Sequence, residues 1–331
     1  TADDGVPTPA ASGAAAVHRI EVPLNVRADE YWSEHRVDAM GSGARIVLGD
    51  APDGLADWAV AELERLEQCW SRFRPDSELR RLQTERGSWT PVSPALLLAL
   101  TCAADLYRAT SGCFDPTILE ALEHAGYDRS FELIDRSRPV IGRSGAASGP
   151  AVAPGFGRID IDVDGSRVRV PRDVRIDLGG LGKGLAADLL ARGLVDRGAR
   201  TALVGLGGDL RTRGEAPDGA WVIPVEHPLD DARLAFRYPL ADGALVTSTT
   251  RLRAWTRRGR RYHHLIDPAT GDSARNGVAA VVAAATDAWW AEGIAKAVLI
   301  AGAHEGVELA RRTHVRAWLF LDDGRMIEAR P

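Results

Sequence analysis

Two short stretches hold the residue types that chemistry needs. Asp177-Leu178-Gly179-Gly180-Leu181-Gly182-Lys183-Gly184 is a glycine-rich turn carrying one lysine, with Asp188 shortly after it. Glycines permit positive φ and let a ligand approach the amides without a Cβ in the way. A helix amino terminus adds exposed N–H groups and partial positive charge, to which Lys183 adds a full one. Such a turn suits a phosphate or pyrophosphate. The other stretch is His263-His264-Leu265-Ile266-Asp267-Pro268-Ala269-Thr270-Gly271, where an imidazole stands near a carboxylate in a Pro/Gly turn. That pairing offers a general base or a phosphate contact. Each stretch also has a plainer reading, as a strand-to-helix connection and a solvated loop, and Asp115-Pro116-Thr117 reads as a helix cap.

Common nucleotide fingerprints do not fit. Lys183 is followed by Gly184 rather than Ser or Thr, which excludes a P-loop. A dinucleotide pattern begun at Gly182 matches through Gly184 and Ala187, but Ala202-Leu203-Val204-Gly205 supplies no acid for a ribose. Gly205-Leu206-Gly207-Gly208-Asp209-Leu210 lacks the third glycine. A nucleotide bound here calls for another architecture.

The elements that must position these residues follow from periodicity. Val174 and Ile176 predict a strand end before the turn, and Leu185, Leu189, Leu190 and Leu194 a helix after it. Val37, Met40, Ile46 and Leu48 predict a strand interrupted at Gly41-Ser42-Gly43. Asp57 is the expected cap of a helix with Val60, Leu63, Leu66 and Trp70 on one face, and Ser93-Pro94 opens another to about residue 110. Ile159, Ile161 and Val163, then Asp164-Gly165, then Val168 and Val170 predict a hairpin. Thr201 to Gly205, 220–225, 233–238 and 278–285 are strand-like, 286–301 and 304–313 helical, and a last hairpin turns at Asp322-Asp323-Gly324. Strands and helices alternate without strict β-α repetition, which points to an α+β domain with mixed or antiparallel sheets flanked by helices.

With 331 residues, 45% of them hydrophobic, the chain has material for a large core. Its formal charge of −5, with arginines scattered among acids, gives no nucleic-acid footprint. No apolar run approaches the roughly 18 residues that span a bilayer. Residues 1–17, rich in Ala, Gly, Pro and Asp, are expected to be a disordered lead to a domain over 18–331, and 141–157 a flexible Gly/Ala/Pro-rich insertion. Thr1 fits a processed or trimmed form, so the compartment stays open. Cys69, Cys102 and Cys113 show no metal-type spacing and read as packed thiols.

Taken together and in order, the motifs resemble the ApbE family, the FAD:protein FMN transferases. The likeness rests on Met40-Gly41-Ser42, Ser71-Arg72-Phe73-Arg74-Pro75-Asp76-Ser77-Glu78-Leu79, Gly112-Cys113-Phe114-Asp115-Pro116-Thr117, the Asp177–Gly184 turn with Asp188, Gly205-Leu206-Gly207-Gly208-Asp209, Thr247-Ser248-Thr249 and His264–Gly271. It runs from about residue 37 to the end. The resemblance implies a single α+β domain that binds FAD in an extended cleft, cleaves its pyrophosphate with magnesium, moves FMN onto a threonine of an acceptor protein and releases AMP. It implies that Asp177, Gly179, Gly180, Gly182 and Lys183 hold the diphosphate, that Met40, Ser77 and Glu78 line the flavin or adenine ends, and that Asp115 and Thr117 meet the nucleotide. Asp188, Gly207, Gly208, Asp209, Ser248 and Lys296 join the cofactor-binding set. His264 is then the catalytic base toward the acceptor hydroxyl, with Asp267 and Thr270 ordering its loop.

One departure stands out. Where the family has Ala-Asp-x-x-x-Thr-Ala, whose Asp and Thr hold magnesium with a carbonyl of the glycine turn, this chain reads Ala291-Glu292-Gly293-Ile294-Ala295-Lys296-Ala297. Glu292 and the Gly182 carbonyl keep oxygen ligands, but a protonated Lys296 cannot ligate a metal. Either Lys296 pairs with Glu292 one turn earlier, or its ammonium takes the metal's place toward the phosphates. Ala269 replaces a common arginine, and the arginines at 251, 253, 257, 258, 260 and 261 either compensate or form a solvated hairpin face. The same site leaves two alternatives to the transferase, an FAD pyrophosphatase giving FMN and AMP, and a catalytically weak FAD-binding protein that carries flavin or uses it in redox chemistry.

Overall fold

Strands with two-residue alternation build the centre of the molecule. The structure, a computed structural model, describes residues 31–134, 151–257 and 259–331, so the expected lead at 1–17 and residues 141–150 of the expected insertion lie outside the described residues. The main sheet has eight strands: β1 (Trp32–Ala39), β2 (Ser42–Gly49), β3 (Thr201–Leu206), β4 (Asp209–Gly214), β5 (Gly243–Thr249), β6 (Val278–Ala285), β7 (Arg316–Leu321) and β8 (Met326–Ala329). They lie side by side in chain order, every neighbouring pair antiparallel.

The alternation covers both faces. Ile46 and Leu48 of β2, Ala202, Val204 and Leu206 of β3, and Val281 and Ala283 of β6 enter one core. Val47, Leu203, Val282, Trp318 and Phe320 point the other way, into a second core. The hairpin of Trp221–His227 and Asp230–Leu240 closes that second core through Trp221, Ile223, Val225 and Leu240.

The described residues form seven α-helices: α1 (Leu55–Trp70), α2 (Glu78–Thr84), α3 (Pro94–Ala109), α4 (Leu119–Ala125), α5 (Gly182–Asp196), α6 (Ala288–Ala301) and α7 (Ala303–Arg312). The first core is filled from α1, α3, α5 and α6, whose Leu63, Leu100, Leu190 and Ile294 are wholly buried. Burial of each large side chain contributes roughly 1.5–3 kcal/mol. A smaller cluster, Ala121, Leu122 and Ala125 of α4 with Tyr127, Trp255 and Ile266, stands apart from the main core. Among the described residues no helix is long and apolar enough to cross a membrane.

Several local expectations change. The interrupted strand at 36–48 is a hairpin, because Met40 (φ 52°) and Gly41 (φ 64°) form a tight turn with positive φ at both positions. Gly54, not Asp57, precedes α1, and Val60 faces solvent while Ala59 and Cys69 join the buried stripe. Val174 to Leu178 is no strand. These apolar residues are buried, but their backbone bonds go elsewhere: Gln83 accepts from the Ile176 N–H at 3.1 Å and Pro116 O from the Asp177 N–H at 2.8 Å. Residues 151–157, the described end of the expected flexible insertion, are held in place. Ala153 N–H donates to Pro268 O, Gly155 N–H to Thr117 Oγ1, and Phe156 is buried beside Tyr107. Cys69 and Cys102 are packed free thiols that burial pushes up to about 12.

Candidate functional site

A cleft of about 310 Å³ opens between the main core and the α4 cluster. Met40, Asp115, Asp177, Gly179, Gly180, Gly182, Lys183, His264 and Lys296 of the expected site residues line it. Met40 enters from its hairpin turn, a backbone conformation that bulky residues rarely adopt, and Glu67 Oε2 accepts from its N–H at 3.1 Å.

The glycine turn works through space rather than positive φ. None of Gly179, Gly180, Gly182 and Gly184 is left-handed. A Cβ on Gly180 would fall 2.9 Å from the Phe114 ring, and one on Gly184 would fall 2.4 Å from Ala288 O at the start of α6. Asp177 fixes the turn, accepting the Gly179 N–H at 2.8 Å and pairing with the buried Arg72 guanidinium at 3.1 Å.

Behind the turn lies a buried ionic quartet. Lys183 Nζ binds Asp209 Oδ2 and, at 2.6 Å, Glu292 Oε1; Lys296 Nζ donates to the same Glu292 oxygen at 2.8 Å. Glu292 Oε2 accepts the Gly184 N–H at 2.8 Å. Burial alone would lower the Lys183 pKa, but the Asp209 and Glu292 carboxylates outweigh it and carry the pKa above the ordinary lysine range. Burial likewise opposes the Glu292 anion, and the two ammoniums overcome it, holding its carboxyl at about 2. For Lys296 burial wins, pushing its pKa below the ordinary value against the pull of Glu292.

His264 lines the same cleft, with its Nδ1 buried and without a hydrogen-bond partner. Its pKa lies well below 6.5 because of burial first and then the charges of Arg253, Lys296, His263 and Lys183. The imidazole is therefore neutral at physiological pH and able to take a proton. Asp267 organises the loop after it: Oδ1 accepts the Ala269 N–H at 2.9 Å, Oδ2 the Thr270 hydroxyl at 3.1 Å, and its carbonyl the Gly271 N–H at 2.8 Å. Pro268, not Asp267 or Thr270, is the loop residue that faces the cleft beside His264, Leu265 and Ile266.

Part of the lining is aromatic and cationic. The Arg72 guanidinium lies 4.0 Å over the Phe73 ring and 4.6 Å over Tyr127, and Arg253 bonds Gly41 O at 3.2 Å. Phe73, Tyr127, Phe131 and Arg253 all line the cleft. Arg72, Tyr127 and Phe131 line the cleft without a local signal in the sequence beyond the Ser71–Leu79 motif that contains Arg72. Of the described arginines in the 251–261 run, only Arg253 lines the cleft, while Arg251, Arg257 and Arg261 bond backbone carbonyls and Arg260 pairs with Asp272.

Other expected binding residues do not line the cleft. Ser77 caps α2 by accepting the Arg80 N–H, and Glu78 accepts from Ser93 N at 2.6 Å and from its hydroxyl. Thr117 is buried and donates to Asp115 Oδ1 at 2.7 Å; burial raises the Asp115 pKa. Asp188 joins three elements, pairing with Arg211 at 3.0 Å and accepting the Ala288 and Trp289 N–H groups that begin α6. Gly207 and Gly208 form the left-handed β3–β4 turn, Asp209 stands behind Lys183, and Ser248 is buried in β5.

The donors present do not fit a magnesium site. Both Glu292 oxygens are engaged, an ammonium stands at position 296, and no described group of three His, Cys, Asp or Glu side chains could hold a metal.

The fold is an antiparallel α+β domain whose cleft brings a glycine turn, two lysines, an imidazole and aromatic rings together. A sequence model described as the ApbE family matches residues 40–319, and the chain belongs to that family. It is 28% identical to a FAD:protein FMN transferase of Rhodobacter capsulatus over 82% of this chain and 51% of the relative, so it spans about half that protein's length. To a FAD:protein FMN transferase of Vibrio cholerae it is 27% identical, over 79% of this chain and 78% of the relative. Among solved structures, an ApbE protein from Thermotoga maritima superposes with a TM-score of 0.78 at 26% identity, covering 90% of this chain and 97% of that one.

Proposed function

We propose that this chain is a FAD:protein FMN transferase, and that the cleft is where FAD is held and its FMN moiety handed to a threonine of an acceptor protein. The observation that carries this reading is the neutral His264 on the same cleft wall system as the Gly179–Lys183 turn and Lys296. Phosphoryl transfer asks for charge neutralisation, positioning and a base. Lys183, Lys296 and the glycine turn receive the diphosphate, while Phe73, Tyr127 and Phe131 offer apolar faces to a ring system. His264 accepts the acceptor hydroxyl proton, the threonine oxygen bonds the FMN-side phosphorus, and the phosphorus–oxygen bond to AMP breaks. No step passes through magnesium, because Glu292 and Lys296 do not present a site for it.

The test is AMP release from FAD by purified protein with and without a threonine-bearing acceptor peptide. AMP that appears with the peptide, together with flavin on the peptide, supports transfer. AMP released equally without peptide means hydrolysis. Tight FAD binding with no AMP means a flavin-holding protein, the second reading that Lys296 favours.

A further inference from the structure

The ionic quartet of Lys183, Asp209, Glu292 and Lys296 is polarised. Lys183 and Lys296 line the cleft, whereas Asp209 and Glu292 lie behind them, 3% and 0% exposed at their side chains. One oxygen of Glu292 holds both ammoniums, at 2.6 and 2.8 Å, and the other is taken by the Gly184 N–H. The carboxylate is thus engaged at both oxygens and, 0% exposed, lies away from the ligand side. Lys296 runs beside the glycine turn, where a Cβ on Gly180 would stand 3.9 Å from its Cδ. A divalent ion placed there would face two fixed ammoniums within a low-dielectric site, and charges of like sign repel strongly at such range.

We infer that Lys296 and Lys183 form a built-in cationic pair that binds the diphosphate of FAD without a divalent metal. The inference rests on the reading of the cleft as the FAD site and adds how its phosphates are neutralised. Two carboxylates balance two ammoniums, and the ends turned to the cleft are the cationic ones, already desolvated and held on Glu292 and Asp209. Little reorganisation is left for the moment of binding, the condition under which fixed charges bind anions well.

The experiment is titration of the full chain with FAD, followed by flavin fluorescence, in EDTA and in excess magnesium, for the parent protein and for Lys296→Met. Parent affinity should be the same in both conditions. Lys296→Met should lose about tenfold or more, the effect of removing a hydrogen bond to a charged group. A parent protein that needs magnesium to bind FAD would overturn the inference while leaving the transferase reading intact. Undiminished binding by a Lys296→Met protein with an unchanged melting temperature would overturn the role of Lys296. If that variant does not fold, the parent's comparison of EDTA with magnesium decides. A parent protein that binds no FAD in either condition would overturn the reading of the cleft itself.

Discussion

His264 can take a proton from an acceptor hydroxyl only if it arrives uncharged, and burial with its cationic neighbours ensures that. Because its pKa lies well below 6.5, the acid limb of the pH profile of kcat/KM should fall below pH 6.5, and a limb above that value would exclude His264 as the titrating base. His264→Ala should lower turnover by about 100-fold or more while FAD still binds, measured as AMP release against a binding titration. Lys183→Ala carries two costs. It removes a cation from the cleft and strands the buried Asp209 carboxylate, so denaturant unfolding should show a loss of about 3 kcal/mol and FAD affinity should fall as well. Wild-type stability in this variant would mean that Asp209 finds another partner. At this scale His264 and Lys183, which line the cleft, were legible in the sequence because each sits in a dense local motif, and Lys296 only because it departs from the pattern of the family the chain resembles. Arg72 and Tyr127 were not, since their place is set by the Arg72 guanidinium against the Tyr127 ring and its ion pair with Asp177, contacts between residues far apart in the chain, and Arg253 stood in its arginine run with nothing local to single it out before its bond to Gly41.

The site exists because α5 and α6 meet closely at their amino-terminal ends. Gly184 allows the contact and Asp188 ties it, accepting the first two N–H groups of α6 while pairing with Arg211 of β4. That arrangement sets Glu292 and Lys296 of α6 against Lys183 of α5. Gly184→Ala should therefore act on both stability and binding: its Cβ would fall 2.4 Å from Ala288 O and push the helices apart, and overpacking of this kind costs about 1–3 kcal/mol. A lower melting temperature with weakened FAD affinity is the expected result, and unchanged FAD affinity would dissociate the helix contact from the site. The helices themselves were readable from their 3.6-residue pattern, α3 and α6 nearly to their ends. Val174 and Ile176 alternate with Arg175 and Asp177 as a strand end would, yet no ladder forms; the Gln83 and Pro116 bonds that replace one are not visible in local sequence.

For the molecule as a whole, an antiparallel sheet sandwiched by helices on one face and a hairpin on the other leaves the cleft at the junction with the α4 cluster. The α+β class followed from the order of elements, and the family from motifs in sequence. The unbroken chain-order arrangement of eight strands did not, because β2 pairs with β3 across the whole α1–α5 segment and nothing local announces that pairing. The resemblance also could not tell residues that touch the cleft from those that hold it up: Ser77, Glu78, Thr117 and Asp188 share motifs with lining residues yet spend their polar atoms on caps and buried bonds.

We propose that this cleft transfers FMN from FAD to a protein hydroxyl. Mass spectrometry of a threonine-bearing acceptor peptide after incubation with FAD and the purified chain, beside a His264→Ala control, tests it most directly. FMN attached to the threonine by the parent protein, with a strongly reduced adduct for the variant, is the expected result. An unmodified peptide in the presence of bound FAD would contradict it.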